Sequence, residues 1–130
     1  MLVRRYIVGR YIVKWHKGDL IMGSAKIQPL TEAVYYILLS LYTPLHGYGI
    51  MQNVKKLTNG RLSLGAGTLY GATNTLLSKG LITEYSSDPS KKEYLITDLG
   101  KQAVENELER LRELVKNGEM ILKEENANEK

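Results

Sequence analysis

The chain of 130 residues contains no cysteine, which excludes disulfides and thiolate metal sites. Its two histidines, His16 and His46, are far apart and neither has an acidic cluster beside it. No metal site is expected, and no cofactor is implied. No run approaches the ~20 apolar residues that a membrane-spanning helix requires, so no membrane partner is expected. Arg10, Lys14 and Lys17 interrupt the apolar residues near the N-terminus, which argues against a secretory signal and for the cytoplasm. Catalytic signatures are missing too: there is no phosphate loop, no nucleophile beside a base and no pair of acids in an apolar setting. An enzyme is not expected.

Positive charge is in excess but unevenly spread. The formal net charge is +4, of which residues 1–29 carry +5, residues 30–97 carry +2 and residues 98–130 carry −3. The basic balance is therefore set by the first segment, and it is weak evidence for nucleic acid. A functional reading has to rest on pattern.

Residues 1–29 form a leader with a short duplication, Arg5-Tyr6-Ile7-Val8 and Arg10-Tyr11-Ile12-Val13, that alternates weakly like a strand. Two readings stand for it. It is a basic arm that touches phosphates, or translation starts at Met22, after codons for Lys17-Gly18-Asp19 that resemble a purine-rich ribosome-binding site. An N-terminal peptide of the native protein beginning within residues 1–15 would exclude the second.

Residues 30–97 read as three helices and a hairpin. Thr31 is placed to cap a helix whose apolar side is Leu30, Val34, Ile37, Leu38 and Leu41, and Pro44 ends it. A second helix starts near Gly47 with Ile50, Met51, Val54 and Leu57 on one face, and Asn59-Gly60 marks a turn. Gly65-Ala66-Gly67 then leads to a third helix capped by Thr68. Its inward residues are Leu69, Thr73, Leu76 and Leu77, and Thr68, Gly71, Asn74, Thr75 and Ser78 point outward. Gly80 stands where a helix end favours positive φ. Strands at 81–85 and 93–96 flank a turn-rich loop carrying Lys91 and Lys92. Residues 98–130 read as one long helix, capped by Thr97 or Asp98, with a polar tail at 124–130 that frays. Val104, Leu108, Leu111, Val115, Gly118 and Leu122 step by alternate fours and threes along it, a heptad seam suited to dimerisation.

The expected fold is therefore mainly α with a small β-hairpin: a winged helix-turn-helix domain followed by a long C-terminal dimerisation helix. In such a pair the second helix enters the major groove of double-stranded DNA, and cations on the hairpin neutralise phosphates. Candidate DNA-binding residues are Thr68, Tyr70, Gly71 and Asn74 on the third helix, Arg61 and Ser63 before it, Lys79 after it, and Lys91 and Lys92 on the hairpin. Asn74 has the chemistry to read adenine in a bidentate contact. The plainer reading is kept beside each: Asn74, Thr75 and Ser78 as a solvated face, Tyr70 as partly core, Gly71 as a packing residue, the two lysines as an ordinary loop. His46 reads first as a residue packed near the turn, and Tyr35, Tyr36 and Tyr42 as core or interface. A winged-helix module that pairs with proteins and does not bind DNA is the alternative function.

Five stretches in order resemble the PadR family of bacterial regulators: residues 30–38 (Leu30-Thr31-Glu32-Ala33-Val34 onward), His46-Gly47-Tyr48-Gly49-Ile50, residues 64–70 around Gly67-Thr68-Leu69-Tyr70, residues 77–82 around Lys79-Gly80, and residues 94–100 from Tyr94 to Gly100. The resemblance spans about residues 30–122. It implies a homodimeric repressor of transcription, joined through the C-terminal helix, that releases DNA when a small hydrophobic or aromatic effector binds. Ala66 stands where many relatives have proline, and the last helix has no tryptophan, the residue type that stacks on ligand in some multidrug-binding relatives.

Overall fold

The computed structural model describes residues 3–8, 11–16, 28–86, 88 and 90–128, the first two stretches by their backbone. The suggested start at Met22 lies outside them. The chain forms two compact units, residues 30–104, and residues 1–29 with 105–130.

In the larger unit, helix α1 (Glu32–Ser40) begins as its sequence demands. Thr31 is extended, and its hydroxyl accepts a hydrogen bond from the Val34 N–H at 3.2 Å. Strand β3 (Leu45–His46) leads into α2 (Gly47–Leu57). Asn59 and Gly60 follow with φ of 52° and 81°, the left-handed pair that an Asn-Gly turn supplies cheaply. Helix α3 (Ala66–Ser78) comes next, then β4 (Ile82–Glu84) and β5 (Glu93–Ile96). Helix α4 (Asp98–Asn128) closes the chain.

The apolar faces read from periodicity converge except at Leu57, which stands at the last turn of α2 and is 51% exposed. Ile37, Leu38 and Leu41 of α1 and its C-cap, Ile50 and Val54 of α2, Leu69 and Leu76 of α3, Ile82, Tyr94 and Ile96 of the sheet, and Val104 of α4 form one buried cluster. A small polar bridge joins α1 to α2 inside it. The buried Ser40 hydroxyl donates to the Tyr36 carbonyl and accepts from the Asn53 side-chain amide, each at 2.8 Å. Its donor and acceptor capacities are both used, so the burial leaves no orphaned group.

The elements differ from the sequence reading at three places. The N-cap of α3 is Gly65, and Thr68 lies within the first turn. The glycine adopts the extended cap geometry (φ −78°, ψ 160°) with no side-chain bond, so the helix starts three residues earlier than a hydroxyl cap would put it. The first wing strand is shorter, Ile82–Glu84 in place of 81–85. The sheet has three strands in the order β3-β5-β4, because Leu45 and His46 pair antiparallel with Tyr94 and Glu93. Of the two caps offered for α4, Thr97 is the one used, accepting from the Gly100 N–H at 3.1 Å. Helix α4 extends to Asn128, into the polar tail.

In the other unit the leader's duplication has a structural counterpart. Strands β1 (Val3–Val8) and β2 (Tyr11–His16) pair antiparallel with Val3 opposite His16 and Val8 opposite Tyr11, so each copy of the repeat supplies a strand. Along α4 within this unit, Arg110 binds the buried Glu107 through two bonds of 2.9 and 2.6 Å, the bidentate geometry that suits a guanidinium and a carboxylate.

Ile37 is fully buried at the centre of the cluster. Ile37→Ala should lower unfolding stability by about 2–5 kcal/mol, read by urea denaturation, with little change in the m-value.

Candidate nucleic-acid interface

The second and third helices and their turn have a defined frame. Thr58 closes α2: its hydroxyl donates to the Val54 carbonyl at 2.9 Å and accepts from the Leu62 N–H at 3.1 Å. Gly60 N–H reaches back to the Lys55 carbonyl at 2.8 Å. The turn is also fastened to α1, because the Arg61 guanidinium pairs with the Glu32 carboxylate. Glu32, by hydrogen bond and then by charge, raises the Arg61 pKa above its usual range. Arg61 is thus engaged within the protein although it is exposed.

Inward residues of α3 are Leu69, Thr73 and Leu76, with Leu77 half-buried. The outward stripe is Thr68, Gly71, Asn74, Thr75 and Ser78, all exposed. Two of its hydroxyls turn back onto the helix, Thr75 to the Gly71 carbonyl and Ser78 to the Thr75 carbonyl, both at 3.1 Å. Gly65, Gly67 and Gly71 each face open space where a Cβ would stand. Together they give a helix entry whose backbone another molecule can approach closely. The first turn has no capping side chain and no acidic residue, so its orphan N–H groups and the positive end of the helix dipole face outward unneutralised.

Tyr70 lies at the edge of this stripe, 48% exposed. Its hydroxyl covers Gly47, the first residue of α2, at which a Cβ would lie 2.8 Å from Tyr70 Oη and 3.2 Å from Leu69 Cδ2. Gly47 is therefore what lets α2 and α3 meet this closely. Nearby on α2, the His46 and Tyr48 rings stack with centroids 6.4 Å apart.

The cations are dispersed. Lys79 is the C-cap of α3, at the far end of a helix of 13 residues, about 20 Å from its start. Ser63 is exposed just before α3. Lys91 and Lys92 are exposed on the wing, and Lys92 Nζ lies 3.9 Å from Glu84. The wing also holds Asp88, whose carboxylate accepts from the Ser90 N–H at 3.0 Å and its hydroxyl at 2.8 Å. These bonds hold its pKa below the usual carboxylate range.

Sequence reasoning passed over a second set. Tyr48, Gln52, Lys55 and Lys56 are all exposed on α2. Their spacing of four, three and one places them on one stripe opposite Ile50 and Val54, a placement available from the same helical wheel that found the apolar face.

On α4, Val104 belongs to the core of the larger unit, Leu108 and Leu111 are half-buried, and Val115 and Leu122 are 59% and 64% exposed. Leu114, Met120 and Ile121 are exposed as well, and a shallow trough of about 670 Å³ runs past Leu111, Val115 and Met120. Among the described residues no cluster of His, Asp or Glu is arranged to hold a metal ion, and no helix is long and apolar enough to cross a membrane.

A helix-turn-helix with an open second helix, followed by a two-stranded wing that pairs with β3 and by a long last helix, defines a winged helix-turn-helix protein. Residues 36–106 match the Transcriptional regulator PadR-like family, and the chain belongs to that family. Its fold is similar to that of a PadR family transcription regulator from Clostridium difficile, with 26% identity, a TM-score of 0.61, and 71% of this chain and 99% of that one covered. Bacillus subtilis PadR in complex with operator DNA is 29% identical, with a TM-score of 0.53, 62% of this chain and 48% of that one covered. RosR of H. salinarum, at 24% identity and a TM-score of 0.56 over 75% of this chain and 94% of that one, shares the fold. No protein of curated function matches the chain.

Gly47→Ala should destabilise the protein by about 1–3 kcal/mol through overpacking. Tyr70→Phe, which removes the atom 2.8 Å from the new methyl group, should recover part of that loss in a thermal-unfolding double-mutant cycle. Strict additivity of the two changes would contradict the contact.

Proposed function

We propose that this chain is a homodimeric, sequence-specific repressor of transcription in the cytoplasm that reads double-stranded DNA with α3. The observation that carries the reading is the outward face of α3. It has no cation and no bulky aliphatic group, glycine at positions 67 and 71, and an exposed Asn74. Such a face fits a groove closely and reads base edges by hydrogen bonds, while phosphate contacts come from elsewhere. On this chain they come from the first turn of α3 with Thr68, from Ser63 and Tyr70, from Lys79, Lys91 and Lys92, and from the Tyr48–Lys56 stripe of α2. The complex of Bacillus subtilis PadR with operator DNA supports a DNA partner. Arg61 reaches a phosphate only by sharing its guanidinium with Glu32.

The second copy binds along α4. Leu111, Val115 and Leu122, with Leu108 beside them, present apolar surface in a heptad register that a second helix covers. Val104 contributes by anchoring the helix in the core. The two reading helices then address half-sites about 34 Å apart. A small hydrophobic or aromatic effector acts on this dimer to release DNA.

Gel shift on the fragment upstream of the protein's own gene tests the DNA partner: retardation is expected, with affinity falling steeply as salt rises. Lys91→Ala with Lys92→Ala should weaken all duplexes alike and reduce the salt slope by about 1–2. Asn74→Ala should cost about 1–3 kcal/mol on the operator and little on unrelated DNA. A wild-type protein that shifts neither its own promoter nor genomic fragments at low salt sinks the proposal.

The dimer has its own test in sedimentation velocity. Leu111→Glu with Val115→Glu should give monomers that keep the helical circular dichroism of residues 30–104 but lose operator affinity. A variant that remains dimeric would place the interface elsewhere.

A further inference from the structure

The end of α3 and the beginning of α4 are joined directly, without passing through the wing. Helix α3 ends in a Schellman arrangement, with Gly80 at φ 73°, its N–H on the Leu77 carbonyl and the Leu81 N–H on the Leu76 carbonyl, both at 3.0 Å. The carbonyls this turn exposes are taken up by Thr97. Its N–H donates to the Leu81 carbonyl at 3.0 Å and its hydroxyl to the Gly80 carbonyl at 2.6 Å, across 17 residues of sequence. The same hydroxyl oxygen accepts from the Gly100 N–H. Gly100 completes the joint, because a Cβ there would lie 2.1 Å from the Leu81 carbonyl oxygen, so only glycine lets the first turn of α4 come this close. The approach to α4 is tied to the end of α1 as well: Ile96, the last residue of β5, donates its N–H to the carbonyl of Leu41, the α1 C-cap, at 2.8 Å, and Lys101 Nζ of α4 lies 5.7 Å from the centroid of the Tyr42 ring.

We infer that Thr97 is a specificity-determining positioning residue: by donating to the Gly80 carbonyl while it caps α4, it locks the direction of the reading helix to that of the last helix and so fixes the half-site spacing the dimer accepts. This rests on the reading of the protein as an α4-joined dimer that inserts α3 into DNA. One base pair added between half-sites moves them by about 3.4 Å and rotates them by about 35°. A dimer whose reading helices are rigidly tied to its seam cannot follow that change without losing contacts at one half-site. A dimer in which each head swivels on α4 follows it at small cost.

The two roles of the hydroxyl can be separated. Thr97→Ser keeps both bonds. Thr97→Asp keeps the cap, because a carboxylate accepts from the Gly100 N–H as well as a hydroxyl does, but it has no proton for Gly80. An operator is first selected from random duplexes with the wild-type protein, and binding is then measured on versions with one base pair added or removed between the half-sites. Wild type and Thr97→Ser should lose about tenfold or more on each altered spacing, the scale of a mismatched contact. Thr97→Asp should dimerise as wild type does and still bind the selected operator, but its penalty should shrink to about threefold or less. The ratio between spacings is the readout, because a simple loss of stability or an added negative charge weakens all three duplexes alike. Thr97→Asp that keeps the full penalty overturns the inference. Wild-type protein that binds as a dimer without any spacing preference also overturns the inference, whereas wild-type protein that sediments as a monomer on the operator overturns the dimeric reading beneath it. Should Thr97→Asp fail to fold, hydrogen exchange on the wild type decides. The Thr97 amide should be protected within about tenfold of the Leu76 amide inside α3, as in one cooperative unit, and exchange a hundredfold faster would show a joint too loose to set spacing.

Discussion

The larger unit depends on one small apolar cluster, to which each of its elements except the two-residue strand β3 contributes at least one buried side chain. Ile37, Ile50 and Leu69 come from three different helices, and Ile82 and Ile96 from two strands. None of these elements buries enough surface alone to be stable. The angle between α2 and α3 is consequently a product of core packing, with Gly47 marking the point where the two helices touch through Tyr70 and Leu69. The geometry of the outward face of α3 follows from that packing and not from any bond the face itself makes.

That outward face is built by leaving things out. Glycines stand where side chains would fend off a partner, the first turn has no cap, and two of its hydroxyls are folded back onto the helix backbone. A surface of this kind gains little affinity by itself. It relies on charge placed around it, and in this chain that charge is moderate and partly internally compensated, with Arg61 on Glu32 and Lys92 near Glu84. Exposed pairs of this kind are worth little for stability, but they lower the charge that these side chains present to any anionic partner.

Much of this was legible in the sequence because it is local. Helical periodicity identified Ile37, Ile50, Leu69 and Leu76 as inward and Asn74 and Ser78 as outward. Asn59-Gly60 and Gly80 announced their positive φ through residue type. The errors have physical causes too. Strand β3 has two residues, too few for any alternation to show, and exists because β5 offers its free edge at Tyr94. Thr68 has the right chemistry for a cap, but the helical backbone already begins at Ala66, so the cap position falls to Gly65, which has no side chain to bond there. The stripe of Tyr48, Gln52, Lys55 and Lys56 carries no distinctive local signal, because exposed polar residues on one side of a helix look the same whether they meet water or a partner.

The sequence by itself therefore determined the order of the elements, their inward faces, the turns and the heptad register of α4, since each depends on residues within a few positions of one another. Tertiary structure alone decided what those pieces are attached to. It placed Arg61 on Glu32, Val104 in the core, and Thr97 on Gly80, contacts that span 29 residues in the first case and 17 in the last. Such pairings have no local signature, because a threonine before a helix looks the same whether its proton goes to water or to the end of another helix.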